Sequence, residues 1–159
     1  MEDVFYAGQA VGWAPTPVDT ASLDPRAGAF ADTRFAHTGR HSLRVVNPAP
    51  AVTALSLGVS LLANMSHVVS LHVRGLGSGA GKVVQLVTLA PKPSTYHGEQ
   101  PLTLPVVVHH RMVLPDASSW QAVEVTVSMS GGNGTLALMT EEALIYWLDD
   151  VAVLAAATP

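Results

Sequence analysis

Three kinds of side chain in this sequence could do chemistry: a glycine-rich turn followed by a lysine, seven histidines, and two pairs of adjacent acids. Gly75-Leu76-Gly77-Ser78-Gly79-Ala80 fits G-x-G-x-x-G/A. In dinucleotide sites those glycines bring a backbone turn against a pyrophosphate at the start of a helix. The next segment, Lys82-Val83-Val84-Gln85-Leu86-Val87, is β-branched and strand-like, and no acid stands at the position a ribose would need. A phosphate loop is excluded as well, since Leu76 takes the first glycine position and Val83 comes directly after Lys82. A hairpin loop is the expectation.

Among the histidines, His109 and His110 are adjacent and His67 and His72 are five apart, so on a strand each pair points to opposite faces. His37 and His41 flank a turn at Gly39 and could approach one another. Surface or half-buried histidine is expected rather than metal ligation. Glu141 and Glu142 read as a solvated turn, because a glycosidase needs carboxylates facing each other across a cleft. Asp149 differs from Asp150. On a strand it shares a face with Val151 and Val153, which read as core, so its charge must be paired, hydrogen-bonded or metal-bound. Loop amides and a structural calcium ion are the two accounts; Asp150 points the other way. No serine stands in G-x-S-x-G. Of the three tryptophans, Trp120 opens a strand and is expected to anchor the core, while Tyr96 and His97, in a proline-rich loop, are the candidates for ligand contact.

The elements that must position these residues have a period of two. Val69, Leu71 and Val73 alternate with Ser70, His72 and Arg74, and Val123, Val125, Val127 and Met129 alternate with Ala122, Glu124, Thr126 and Ser128. Leu43 and Val45 repeat the pattern, as do Val106, Val108, His110, Met112 and Leu114. Further strands are expected at Lys82 to Leu89, Leu136 to Thr140 and Leu144 to Leu154; Ala51 to Leu62 would allow a strand or a short helix. Gly, Pro, Asp and Ser cluster between these runs, and many short strands broken in this way predict an all-β sandwich.

Composition excludes several functions. Hydrophobic residues are 48% and charged residues 13%, which argues against disorder. A net charge of −4 argues against a nucleic-acid binder, which needs a basic face. The absence of cysteine removes disulfides, thiol nucleophiles and cysteine zinc sites. No apolar run approaches the roughly 20 residues of a membrane helix. The start, Met1-Glu2-Asp3-Val4, lacks the charge and apolar run of a secretory signal, and Asn64-Met65-Ser66 and Asn133-Gly134-Thr135 are glycosylation triplets. A domain cut from a longer secreted chain is expected, with the domain at 1–154 and the start of a linker at 155–159.

The ordered series Gly12-Trp13, Gly39-Arg40-His41-Ser42-Leu43-Arg44-Val45, Val69-Ser70-Leu71-His72-Val73-Arg74-Gly75, Ser119-Trp120-Gln121-Ala122-Val123 and Trp147-Leu148-Asp149-Asp150-Val151 covers nearly the whole chain. It resembles the carbohydrate-binding modules of families four, nine and twenty-two, which are galactose-binding-like jelly rolls. The stretches from His67 to Ser78 and from Trp147 to Val151 are similar to the module within family fifty-one arabinofuranosidases of plants. The resemblance implies a jelly-roll sandwich of two antiparallel sheets and a non-catalytic, extracellular module that keeps an attached glycoside hydrolase near polysaccharide. It also implies one buried structural calcium. On that pattern Asp149 is the acidic ligand of the last strand, and the turn from Gly39 to Ser42 lends backbone oxygens. The family usually has an acid after its first Phe; here Phe5 is followed by Tyr6, Ala7 and Gly8, and Asp3 stands as the substitute. The alternative to sugar binding is a structural or protein-interaction sandwich.

Overall fold

The computed structural model describes the backbone of residues 5–6, 9–10, 14–17, 28–48, 53–62, 64–75, 77–90, 106–115, 119–129 and 134–155, with side chains from Gly28 onward except at 53–60 and 78. In chain order the strands are β1 (Phe5–Tyr6), β2 (Gln9–Ala10), β3 (Ala14–Pro17), β4 (Gly28–Asp32), β5 (Ser42–Asn47), β6 (Thr53–Leu61) and β7 (Ser66–Gly75). They continue as β8 (Val83–Leu89), β9 (Val106–Val113), β10 (Gln121–Ser128), β11 (Gly134–Thr140) and β12 (Leu144–Ala155). A 3₁₀ turn at Gly77–Gly79 is the one helical element among the described residues, so no described helix is long and apolar enough to cross a membrane. The ambiguous run after Ala51 is strand β6.

Every pairing is antiparallel. One sheet has seven strands in the order β1-β2-β4-β5-β12-β7-β10, and the other has five in the order β3-β6-β11-β8-β9. The fold is the expected jelly-roll sandwich. The alternating residues do what period two requires. Val69, Leu71, Val73, Val123, Val127, Leu144, Tyr146 and Leu148 point inward from the first sheet, against Val84, Leu86, Met112, Leu136 and Leu138 of the second. Burial of such side chains, at roughly 25 cal/mol per Å² of apolar surface, is the main term holding the sheets together. Val87, Leu89, Ala137 and Met139, on the opposite face of the five-stranded sheet, form a second buried cluster.

Three expectations are corrected by the structure. The glycine segment after β7 is not a hairpin loop: β7 and β8 belong to different sheets, and the 3₁₀ turn carries the chain between them. Its glycines serve close approach, for a Cβ on Gly75 would stand 2.6 Å from Leu114 Cβ and one on Gly79 would collide with the Ile145 carbonyl oxygen. Lys82 donates its ammonium to the Ala143 carbonyl, a structural role. Strand β9 does not alternate throughout. A register shift opposite Leu86 and Val87 pairs His110 with Leu86 but Val108 with Val87, so Met112 is buried while Val108 is exposed. The third correction concerns β12. Its pairing with β7 slips between Asp149 and Ala152, and Asp150 at that bulge takes a left-handed φ of 51°. The extra residue flips the strand. Asp149 therefore lies on the outer face with Trp147, while Val151 and Val153 pack on the core.

Candidate functional site

Asp149 is nonetheless fully buried, because the connection between β4 and β5, Thr33 to His41, lies over the outer face of the seven-stranded sheet. Phe35 seats its ring edge-on to Trp147, with centroids 5.1 Å apart, and the Arg74 guanidinium stands over the Phe35 ring, 4.0 Å from its centre. The Ser42 hydroxyl donates to the Phe35 carbonyl at 2.6 Å. One turn on, the His37 and Thr38 amides donate to Asp149 Oδ2 at 2.7 and 3.2 Å. The Asp150 amide donates to Oδ1 at 2.8 Å. A carboxylate that accepts several amide hydrogens compensates its burial in this way.

Asp32, at the end of β4, anchors the start of the same connection. It accepts from the Arg34 amide at 2.8 Å, from the Arg34 guanidinium at 2.7 Å, and from the Trp147 indole at 3.0 Å. The Arg34 side chain chiefly, then the indole and the amide, outweigh burial and hold this carboxyl far below the usual range.

Beside Asp149 the bulge turns Asp150 towards the connection. Asp150 Oδ2 lies 2.6 Å from His37 Nδ1 and 3.6 Å from His72 Nδ1, while the Thr38 hydroxyl donates to Oδ1. The two imidazoles stack, 3.7 Å between centroids and 15° between planes. Trp120 sits edge-on to His37 at 6.1 Å. Partial burial pushes the Asp150 carboxyl up, but the Thr38 and His37 hydrogen bonds and the charges of His37 and His72 together leave it below its ordinary value.

Sequence reasoning placed Asp149, Gly39 and Ser42 together, and the structure brings Asp149 and the Gly39 turn together. Gly39 is exposed with φ 65°, and Ser42 is buried. The groups described on Asp149, however, are N–H donors, and the Ser42 hydroxyl is directed at a carbonyl. Calcium takes six to eight oxygens, whereas the described residues around Asp149 present amide hydrogens. Asp3, Tyr96 and His97 lie outside the described residues. His72, Thr38, Asp32 and Trp120 were missed. His72 reads in the sequence as one polar member of an alternating strand, and nothing in its spacing shows that a loop 35 positions earlier folds back on it. Trp120 is half-buried beside His37 and is no core anchor.

No protein-family model matches the chain, and no curated protein is similar to it. Solved structures are. The CBM22-1 xylan-binding domain of Paenibacillus barcinonensis Xyn10C superposes with a TM-score of 0.66 at 16% identity, over 96% of this chain and 90% of that one. The CBM22-1 and GH10 modules of Clostridium thermocellum endo-1,4-β-D-xylanase 10B, complexed with xylohexaose, match at TM-score 0.66 and 15% identity, over 93% of this chain and 27% of that longer one. TmCBM61 in complex with β-1,4-galactotriose matches at TM-score 0.53 and 13% identity, over 94% and 92%. The chain thus shares, nearly end to end, the β-sandwich fold of non-catalytic carbohydrate-binding modules.

Proposed function

We propose that this domain is a carbohydrate-binding module without catalysis of its own, which holds an attached glycoside hydrolase, of arabinofuranosidase type, near polysaccharide outside the cell. The observation that carries the proposal is the likeness over 96% of the chain to a xylan-binding domain. The outer face of the five-stranded sheet supports it. There Met139, Gln85 and Arg111 stand in one row across β11, β8 and β9. Gln85 is buried, and its Oε1 accepts no hydrogen bond. The exposed Arg111 guanidinium in this row offers donors that suit sugar hydroxyls. Tyr96 and His97 fall in the β8–β9 connection of the same sheet and are the proposed stacking contacts. The proposal includes no calcium requirement, and chelator is expected to leave binding unchanged.

Retention on insoluble xylan, with arabinan, glucan and galactan as comparisons, tests it. Retention that Arg111→Ala weakens, with the melting temperature unchanged, is the expected result; no retention on any of the four sinks the proposal. A second reading, a protein-interaction sandwich, is favoured by one feature. Val107, Val108 and Val113 are exposed on β9, an edge strand, and apolar edges are templates for pairing with another chain. Concentration-dependent association abolished by Val108→Lys, with no sugar retained, would establish that reading instead. The sequence adjoining this domain in its gene tests the attached hydrolase.

A further inference from the structure

We propose that His37, His72 and Asp150 form a binding site for a divalent transition metal ion of the zinc, nickel or copper kind. The inference is independent of sugar binding and concerns different residues from those the resemblance assigns to calcium. The three ligand atoms lie within 4.8 Å of one another. Two imidazole nitrogens and one carboxylate oxygen are a donor set that suits borderline metals and not calcium or magnesium.

The ligand atoms are close enough for such an ion, and the stacked imidazoles, 15° between planes, must tilt apart for both Nδ1 lone pairs to converge on it. Metal–ligand bonds of about 2.0–2.1 Å in tetrahedral geometry put ligand atoms roughly 3.3 Å apart. Asp150 Oδ2 stands 2.6 Å from His37 Nδ1 and 3.6 Å from His72 Nδ1, on either side of that value. His72 Nδ1 is buried and makes no hydrogen bond; the Asp150 carboxylate, 3.6 Å away, faces it at ion-pair distance only. The ion would take the place of the proton in the His37–Asp150 hydrogen bond, releasing it to solvent, and be held by the two imidazole nitrogens and the Asp150 carboxylate oxygen.

The surroundings hold the set in place. The Thr38 hydroxyl donates to Asp150 Oδ1 and orients the carboxylate with Oδ2 towards the rings. The Asp149 carboxylate fixes the backbone of His37 and Thr38, so the ligand from the connection is positioned before an ion arrives. His37 is exposed, which leaves the remaining coordination positions open to water or an exogenous ligand.

Calorimetric titration of the folded protein with ZnCl₂, NiCl₂ and CuCl₂ at pH 7.5 tests the site. One ion per chain is expected, reversed by EDTA, with CaCl₂ and MgCl₂ neither binding there nor competing. His72→Ala, and His72→Gln as a variant that keeps the volume, should each weaken binding by more than about tenfold, and Thr38→Val by about tenfold, as for other supporting hydrogen bonds. Circular dichroism checks that each variant is folded. His110→Ala should bind like the parent. Copper electron paramagnetic resonance should show coupling to two imidazole nitrogens in the parent and to one in His72→Gln. No binding, or binding that survives the His37→Ala/His72→Ala pair, overturns the proposal.

Discussion

Without the Asp149 carboxylate, the His37, Thr38 and Asp150 amide hydrogens would face a cavity with no acceptor. Hydrogen bonds to charged groups are worth about 1.5–3 kcal/mol each, and buried donors left unpaired are costly. Asp149→Ala should therefore lower stability by at least about 3 kcal/mol in denaturant titration, and Asp149→Asn, which keeps one acceptor oxygen, by less. EGTA should leave the melting temperature of the parent unchanged, since three N–H donors already compensate the buried carboxylate. A chelator-induced fall in the parent that Asp149→Ala abolishes would restore the calcium account. Asp150 is not the indifferent outward residue that simple alternation implies. Its contacts with Thr38 and His37 make Asp150→Ala cost about 1 kcal/mol, at the modest end for lost hydrogen bonds.

The strands were legible in the sequence, because a half-buried strand writes its burial directly as alternation: β7 and β10 match their runs nearly residue for residue. Bulges were not, because one inserted residue reverses the faces without changing composition. That is why Val108 was placed on the face of Met112, and Asp149 on the face of Val151. The candidate site was half legible. Asp149 and the Gly39 turn were found through a pattern, whereas His72 joins them only through tertiary closure. The glycine segment shows the same limit, since its spacing imitates a nucleotide motif while its real demand is room. Gly79→Ala would push a Cβ into the Ile145 carbonyl oxygen, and overpacking of this sort costs about 1–3 kcal/mol or more. Gly81 has open space around it and φ 75°, so Gly81→Ala should cost only the conformational penalty of about 1 kcal/mol. Equal melting temperatures for the two variants would show that the 3₁₀ turn does not dock on β12.

For the molecule as a whole, acid should act in two stages. Burial lowers the His109 pKa. The unfolded chain therefore takes up that proton first, and stability begins to decline as pH falls through about 6.5. Asp32 and Asp150 are both held below their ordinary values. Their contribution is complete above the unfolded carboxylate value of about 3.9 and is lost as pH falls through the folded values. Melting temperature against pH should show a shallow slope and then a steep one, with Asp32→Asn flattening the steep one; an unchanged slope in that variant would remove Asp32 from the account. The sheet order has a consequence for how the chain assembles in time. Strand β12 lies between β5 and β7, and His37 meets Asp149 across 112 positions. During synthesis β5 and β7 emerge with a vacant lane between them and two unpaired edges, which invite pairing with other chains until β12 arrives. The connection over the outer face can lock only after that late insertion. Such high contact order predicts slow folding, with the lane between β5 and β7 as the last to close.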